Sequence, residues 1–174
     1  LVRVTGTVGE YQGQTQLTAT TASAYELLEA GVGLPEATPL PDTVVGSDRE
    51  AYEGMLVQPT GDYRLASSHE LYNFGSLWLS AGSELVKSTE TTDAGPAADA
   101  IAASNLARRL IVDDGYSIRV DNSAHAGDQP YFTAGTVVRN GDRFVPPAKA
   151  MVLGYGFDNW RLQPQVPLTD ASDP

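Results

Sequence analysis

Few side chains in this sequence have the type and spacing that catalysis needs. There are two histidines, His69 in SSHELY and His125 in NSAHAGD. A histidine works as a base when a carboxylate orients it, and Glu70 and Asp128 are the neighbours for such a dyad. The competing reading is a solvated loop histidine in each case. Asp113, Asp114 and Asp121 in VDDGYSIRVDNS are carboxylates that suit Ca²⁺ by type. The D-x-[DN]-x-[DN]-G spacing is absent, and the competing reading makes Asp113 and Asp114 caps of a turn before Gly115. The Gly-rich GTVGEYQG leads into a strand rather than a helix, so it is no phosphate loop. Serine is plentiful without a G-x-S-x-G elbow. With no cysteine, disulfides and thiolate metal sites are excluded, while a secreted and a cytosolic location both stay open. The sequence therefore predicts no chemistry, no metal and no cofactor in this chain.

Aromatics and cations suggest binding instead. A protein holds a nucleic-acid strand by stacking bases on exposed rings while Arg or Lys follow the phosphates. Candidate rings are Tyr63, Tyr72, Phe74, Trp78, Tyr155, Phe157 and Trp160; candidate cations are Arg64, Arg139, Arg143, Lys149 and Arg161. The binding set we expect is Arg64, Tyr72, Phe74, Trp78, Arg139, Arg143, Phe157, Trp160 and Arg161. Against it stands the habit of aromatics to sit in the core of a small β-fold, which takes half or more of the seven rings. Trp160, in GFDNWRLQP, is the ring expected at an exposed hairpin tip, with Arg161 beside it.

Charge restrains that reading. The 174 residues carry a net charge of −11, and it is uneven. Residues 1–100 hold 4 basic against 14 acidic side chains, and residues 101–174 hold 7 against 8. The whole chain repels a polyanion, so a nucleic-acid surface must be local and lie in the C-terminal part. The simpler reading of the acidity is solubility of a secreted protein. No apolar run approaches the ~18 residues of a membrane helix. The opening LVRVTGTV is strand-like and without an initiator Met, and reads as a fragment of a longer protein or as a mature form.

The elements that would position these residues are mostly strands. Val2, Val4 and Val8 recur at even spacing, the pattern of a half-buried strand over Val2 to Tyr11, and TQLTAT after Gly13 completes a hairpin. SAYELLEAG suits one or two helical turns or a strand edge. LPEATPLPDTVVGSD, with three prolines, is expected as an extended connection rather than a helix or central strand. YEGMLVQPT, the Gly61–Asp62 turn and YRLASS read as two strands. NFGSLWLS reads as a third, with Leu77 and Leu79 on one face and Trp78 on the other. KSTETTDAGPAADA is expected as a mobile loop. PAADAIAASNLARRL follows Gly95 as a short helix in which Ile101, Leu106 and Leu110 share a face. LIVDDG is a strand ending in a turn, DNSAHAGDQPYFT a loop, and GTVVRNGDRF two strand pieces around Asn140–Gly141. KAMVLGYGFDNWRLQPQVPL closes as a hairpin, and TDASDP is a frayed end. VTGTVGEYQGQTQLT and AMVLGYGFDNWRLQP share one plan, with Leu17 matching Leu162; a true repeat would make the first the closing hairpin of a preceding copy.

Short strands, one short helix after the third and a closing hairpin predict a mostly β fold. Its expected form is an OB-type Greek-key five-stranded barrel with one short helix and an N-terminal β-hairpin extension. The expected divisions are 1–48 for the hairpin and Pro-rich connection, 49–168 for the barrel and 169–174 for a tail or linker.

Glu53-Gly54-Met55-Leu56-Val57, Asn73-Phe74-Gly75, Ile111-Val112-Asp113-Asp114-Gly115, Asn140-Gly141-Asp142 and Arg161-Leu162-Gln163-Pro164 occur in an order that resembles the OB-like region of bacterial secreted nucleases. Asn140 departs from that pattern, where Val is usual. In that family the region precedes an endonuclease/exonuclease/phosphatase-type catalytic domain. The resemblance implies a non-catalytic accessory domain, bacterial and extracellular, that binds or presents single-stranded or duplex DNA to a catalytic domain of the same polypeptide. Divalent metal is then expected only in that catalytic domain, whose Asp-x-Asn and Asp-His pairs have no counterpart here. Two alternatives stand beside it: a purely structural or interaction module that positions the catalytic domain, favoured by the acidity of residues 1–100, and an oligosaccharide-binding module.

Overall fold

The computed structural model describes residues 1–116, 118–120, 122, 138–147 and 149–165. The expected loop site His125, Asp121, Asp128 and the tail 169–174 lie outside the described residues. The chain is mostly β. Its strands are β1 (Val2–Val4), β2 (Thr7–Tyr11), β3 (Gln14–Thr18), β4 (Tyr25–Leu27), β5 (Thr38–Pro41), β6 (Leu56–Thr60), β7 (Tyr63–Ser67), β8 (Leu77–Ala81), β9 (Arg109–Val112), β10 (Met151–Gly156) and β11 (Asn159–Pro164). Among the described residues three helices interrupt them: α1 (Leu71–Phe74), α2 (Ser88–Thr91) and α3 (Pro96–Arg108).

Seven strands form one sheet in the order β5-β6-β10-β11-β9-β8-β7. It is antiparallel except at β5–β6 and β9–β11. Only Gly61 and Asp62 separate β6 from β7, yet five strand-to-strand steps lie between them in the sheet. Five steps span about 24 Å in a flat sheet, and a two-residue link reaches about 11 Å. The sheet must therefore curl until β6 and β7 approach one another. Asp42 holds that junction, its Oδ2 accepting the Asp62 backbone N–H at 2.8 Å. Gly61 is required there: it has φ 99°, and a Cβ on it would lie 2.5 Å from Asp42 Cγ.

The curl encloses the core. Alternate residues point inward: Tyr63 and Leu65 on β7, Leu77 and Leu79 on β8, Leu110 and Val112 on β9, Met151 and Leu153 on β10, Trp160 and Leu162 on β11. Each fully buried aliphatic side chain contributes about 1.5–3 kcal/mol, so this inner layer is the main source of stability. Charge is buried as well. Arg49, in the 3-10 turn Gly46–Tyr52, is fully buried, and among the described residues no carboxylate pairs with it. Its guanidinium donates to the carbonyls of Val44, Ala107, Arg108 and Arg109. Three of these are the open carbonyls at the end of α3, where the helix dipole favours a cation.

Several local expectations change in three dimensions. The Pro-rich span is not connection alone: Thr38–Pro41 pairs with β6 as the outermost strand, the place in a sheet where proline is tolerated. Val2 to Tyr11 is two strands rather than one half-buried strand. β1 pairs with β4, β2 with β3, and Val8 is 68% exposed because, among the described residues, no second layer covers these two-stranded ribbons. Asn73 and Phe74 belong to α1, not to the strand that follows. A turn of helix, α2, lies in the span expected as a loop. In α3, Leu106 is exposed and Ala98 is buried, while Leu110 already belongs to β9. No regular strand is assigned to the described part of GTVVRNGDRF; its Asp142 and Phe144 instead bond along β7.

The two similar hairpins share their turn geometry. β2–β3 turns through Gln12 (φ 52°) and Gly13 (φ 79°), and β10–β11 through Phe157 (φ 53°) and Asp158 (φ 61°). Both are two-residue turns with positive φ at each central residue, the form that matches strand twist. In register, Val8↔Leu17 corresponds to Leu153↔Leu162. The second pair is fully buried and the first is exposed.

Candidate functional site

Inward alternation leaves a second set of side chains on the outside of the sheet. Trp78 stands between Leu77 and Leu79 on β8, and Arg161 between Trp160 and Leu162 on β11. With Ile111 of β9 they form the floor of a groove of about 600 Å³. The β7–β8 connection contributes Glu70, Phe74 and Ser76; the turn after β9 contributes Asp113, Gly115 and Tyr116; the β10–β11 tip contributes Phe157 and Asn159; and Gln14 enters from β3. A second hollow of about 890 Å³ shares Trp78, Tyr155, Phe157 and Asn159 and continues toward Gly46, Ala107 and Arg109. Both volumes suit small-molecule or oligomer ligands.

Trp78 is held firmly. Its indole Nε1–H donates to Glu70 Oε2 at 2.9 Å, and the Arg109 guanidinium carbon lies 5.1 Å from the ring centroid. Phe74 is 49% exposed, with the Arg119 guanidinium carbon 5.9 Å from its centroid. Phe157 is 63% exposed at φ 53°. A bulky aromatic held at positive φ is uncommon, and such strain clusters at functional sites. Tyr155 packs edge-on against Trp160 with centroids 4.8 Å apart.

Electrostatics in the groove are acidic on balance rather than basic. Arg161 Nη1 lies 2.6 Å from Asp113 Oδ2, and its Nε–H donates to Gly156 O. Asp113 Oδ1 and Asp114 Oδ1 also accept backbone N–H groups of Gly115 and Tyr116, so both do cap the turn. Among the described lining residues, the charges are Glu70, Asp113 and Arg161 in the first groove and Glu50, Asp158 and Arg109 in the second. Among the described residues no group of three or more His, Asp or Glu side chains is placed to hold a metal ion.

The expected binding set divides. Phe74, Trp78, Phe157 and Arg161 come together at the groove. Arg64 and Arg143 lie elsewhere, both at Asp62 beside the β6–β7 junction, at 3.0 and 3.7 Å. Arg139 is exposed near that second cluster, its backbone N–H bound to Asp142 Oδ2, and Lys149 is exposed outside both grooves. Tyr72 has its backbone in α1, and its side chain is outside the described residues. Trp160 is a correction: expected at an exposed tip, it is 7% exposed and part of the core. The turn is Phe157–Asp158, and Trp160 shares the inward face of Leu162, two residues on. Tyr63 is likewise buried, donating from its hydroxyl to Leu40 O at 3.1 Å. His69 is exposed, and Glu70, its partner in the conceivable dyad, accepts from Trp78 instead.

Sequence reasoning missed Gln14, Glu70, Arg109, Asp113 and Asn159 as parts of this site. Strand alternation carried on from Leu162 gives Asn159 and Trp160 their faces; Gln14, Glu70 and Arg109 had no local signal. Comparison with protein-family models, with curated proteins and with solved structures gives no match to this chain. No helix among the described residues is long and apolar enough to cross a membrane.

Proposed function

We propose that the chain is a non-catalytic OB-type accessory domain of a secreted nuclease, holding a single nucleic-acid strand in the groove around Trp78. The finer fold assignment counts β6 and β7 as the two halves of one bent first strand, followed by β8, β9, β10 and β11. The adjacency of β6 to β10 and of β7 to β8, with the parallel β9–β11 pair, supports a five-stranded Greek-key barrel. In this reading β5 is an added edge strand, α1 lies between the first and second strands, and α2 and α3 lie between the second and third. OB barrels bind oligomers on the face of strands two and three, between the first and fourth connecting loops. Those elements are β8, β9, the β7–β8 connection and the β10–β11 tip.

One observation carries the reading: all four of these elements contribute to the groove lining, with Trp78, Phe74 and Phe157 as rings of three of them. Stacking is worth about 1–3 kcal/mol per base. Titrating a labelled oligothymidylate at two salt concentrations tests it. Binding that weakens with salt, and that Trp78→Ala reduces about tenfold or more, is the expected result. No binding at low salt leaves a module that only positions its catalytic neighbour.

A second reading, an oligosaccharide site, is favoured by the Arg161–Asp113 pair. That pair neutralises the cation best placed for a phosphate, while aromatic faces and amides such as Asn159 suit sugar rings and hydroxyls. Salt-independent binding of a neutral oligosaccharide, lost in Trp78→Ala, would select it.

A further inference from the structure

Gln14 belongs to the N-terminal hairpin and yet lines the groove around Trp78. The hairpin reaches that position through a close seat. Gly13 has φ 79°, and a Cβ on it would fall 2.6 and 2.9 Å from Cε1 and Cδ1 of Tyr155. The Tyr155 ring has little freedom to move aside, because it packs against the core residue Trp160. Only glycine keeps this approach at the positive φ of the turn. Beside the seat, the Thr15 backbone N–H points at Glu53 Oε1 at 3.4 Å. Gln16 Nε2 donates to Gln14 Oε1 at 3.2 Å. The remaining amide nitrogen of Gln14 lies 3.6 Å from where a Cβ on Gly154 would stand. Gly154 and Gly156 leave bare backbone on that part of the β10 surface.

We infer that the β2–β3 tip is one wall of the binding groove and that Gln14 is its ligand-contacting residue, offering amide N–H to the acceptor edge of a stacked base. The inference rests on the nucleic-acid reading above and extends it. The site is then completed by the N-terminal ribbon, and Gly13 positions Gln14 by fitting against Tyr155.

Oligothymidylate binding at low salt, followed by fluorescence anisotropy, tests this with Gln14→Ala, Gly13→Ala and, as a control on the exposed side of the same hairpin, Val8→Thr. Loss of one hydrogen bond in Gln14→Ala raises Kd about 3–10-fold. Gly13→Ala raises it at least as much and shifts the Tyr155 ring resonances, because the tip leaves its seat. Val8→Thr binds as the wild type. If Gln14→Ala and Gly13→Ala bind normally while Trp78→Ala does not, the inference is overturned and the groove reading stands. An effect of Val8→Thr as large as that of Gln14→Ala also overturns it, since hairpin stability would then be the cause. If the wild type binds no strand, or Trp78→Ala binds unchanged, both readings fall.

Discussion

Arg161 and Asp113 meet at 2.6 Å across the parallel pair β9–β11, with little of either side chain exposed. Asp113 follows β9 directly, and its backbone N–H donates to Leu162 O, so the backbone ladder sets the ion pair. The groove thus contains a cation that is already compensated. Asp113→Asn keeps an acceptor for Arg161 and removes the opposing charge. We expect tighter oligothymidylate binding at low salt and a log K against log salt slope steeper by about 0.7, the value for one additional phosphate of a single strand. The fold should lose about 1–3 kcal/mol in urea denaturation. An unchanged slope would separate Arg161 from phosphate contact and strengthen the oligosaccharide reading.

Phe157 sets stability against binding. A two-residue turn with positive φ at both positions favours Asn or Gly first, and an aromatic there is strained. Phe157→Asn should raise unfolding free energy by about 0.5–1 kcal/mol while weakening ligand binding about tenfold through loss of a stacking ring. Paired denaturation and anisotropy measurements check both. A less stable variant would show that Phe157 supports the fold through contacts rather than serving a ligand.

The legible parts of this molecule were those governed by local rules. Alternation placed Trp78 outward between Leu77 and Leu79, and Gly95–Pro96 marked the start of α3. Alternation read onward from Leu162 also places Trp160 inward; its expected place at the tip ignores that β11 already begins at Asn159. The expected barrel came without a strand order: the curl of the seven-stranded sheet depends on pairs far apart in sequence, such as Arg161↔Ile111 and Met151↔Val57, which no local rule reads. Pairing of Arg143 with Asp62 was hidden for the same reason, whereas Arg64, two residues from Asp62, lies within reach of a local reading. The corrected Trp160 has its own consequence: Trp160→Ala should cost about 3–5 kcal/mol and lower the melting temperature, whatever it does to binding. A melting temperature equal to wild type would contradict its place in the core.

Arg49 fastens the 3-10 turn Gly46–Tyr52 to the end of α3 through backbone carbonyls. Arg49→Met keeps the length of the side chain and leaves the carbonyls of Val44, Ala107, Arg108 and Arg109 short of a donor. Hydrogen bonds from a charged donor contribute about 1.5–3 kcal/mol each to stability, and removal of a buried desolvated charge offsets part of the sum. We expect a net loss of about 3 kcal/mol, with hydrogen exchange fastest in the last turn of α3. Uniform exchange along the helix would show that Arg49 does not fasten its end.

Tyr63 predicts an alkaline limit to stability. Burial pushes its phenol up to about 12, the Arg49 charge opposes that rise, and Asp42 adds to it. The folded-state pKa is raised above the unfolded value of 10, so the native state keeps the proton that the unfolded chain releases. The resulting stabilisation is complete below pH 10 and is lost as pH rises to about 12, roughly 2–3 kcal/mol in all. Arg49, pulled down to about 10 by burial, acts in the opposite sense between about pH 10 and 12.5, so the difference between wild type and Tyr63→Phe is the measurement to make. At neutral pH the variant should be less stable by about 1 kcal/mol, the loss of the bond to Leu40 O. Above pH 10 the wild type loses stability that the variant keeps, and the two curves should cross near about pH 11. Parallel curves through that window would show that the Tyr63 phenol titrates alike in the folded and unfolded chain.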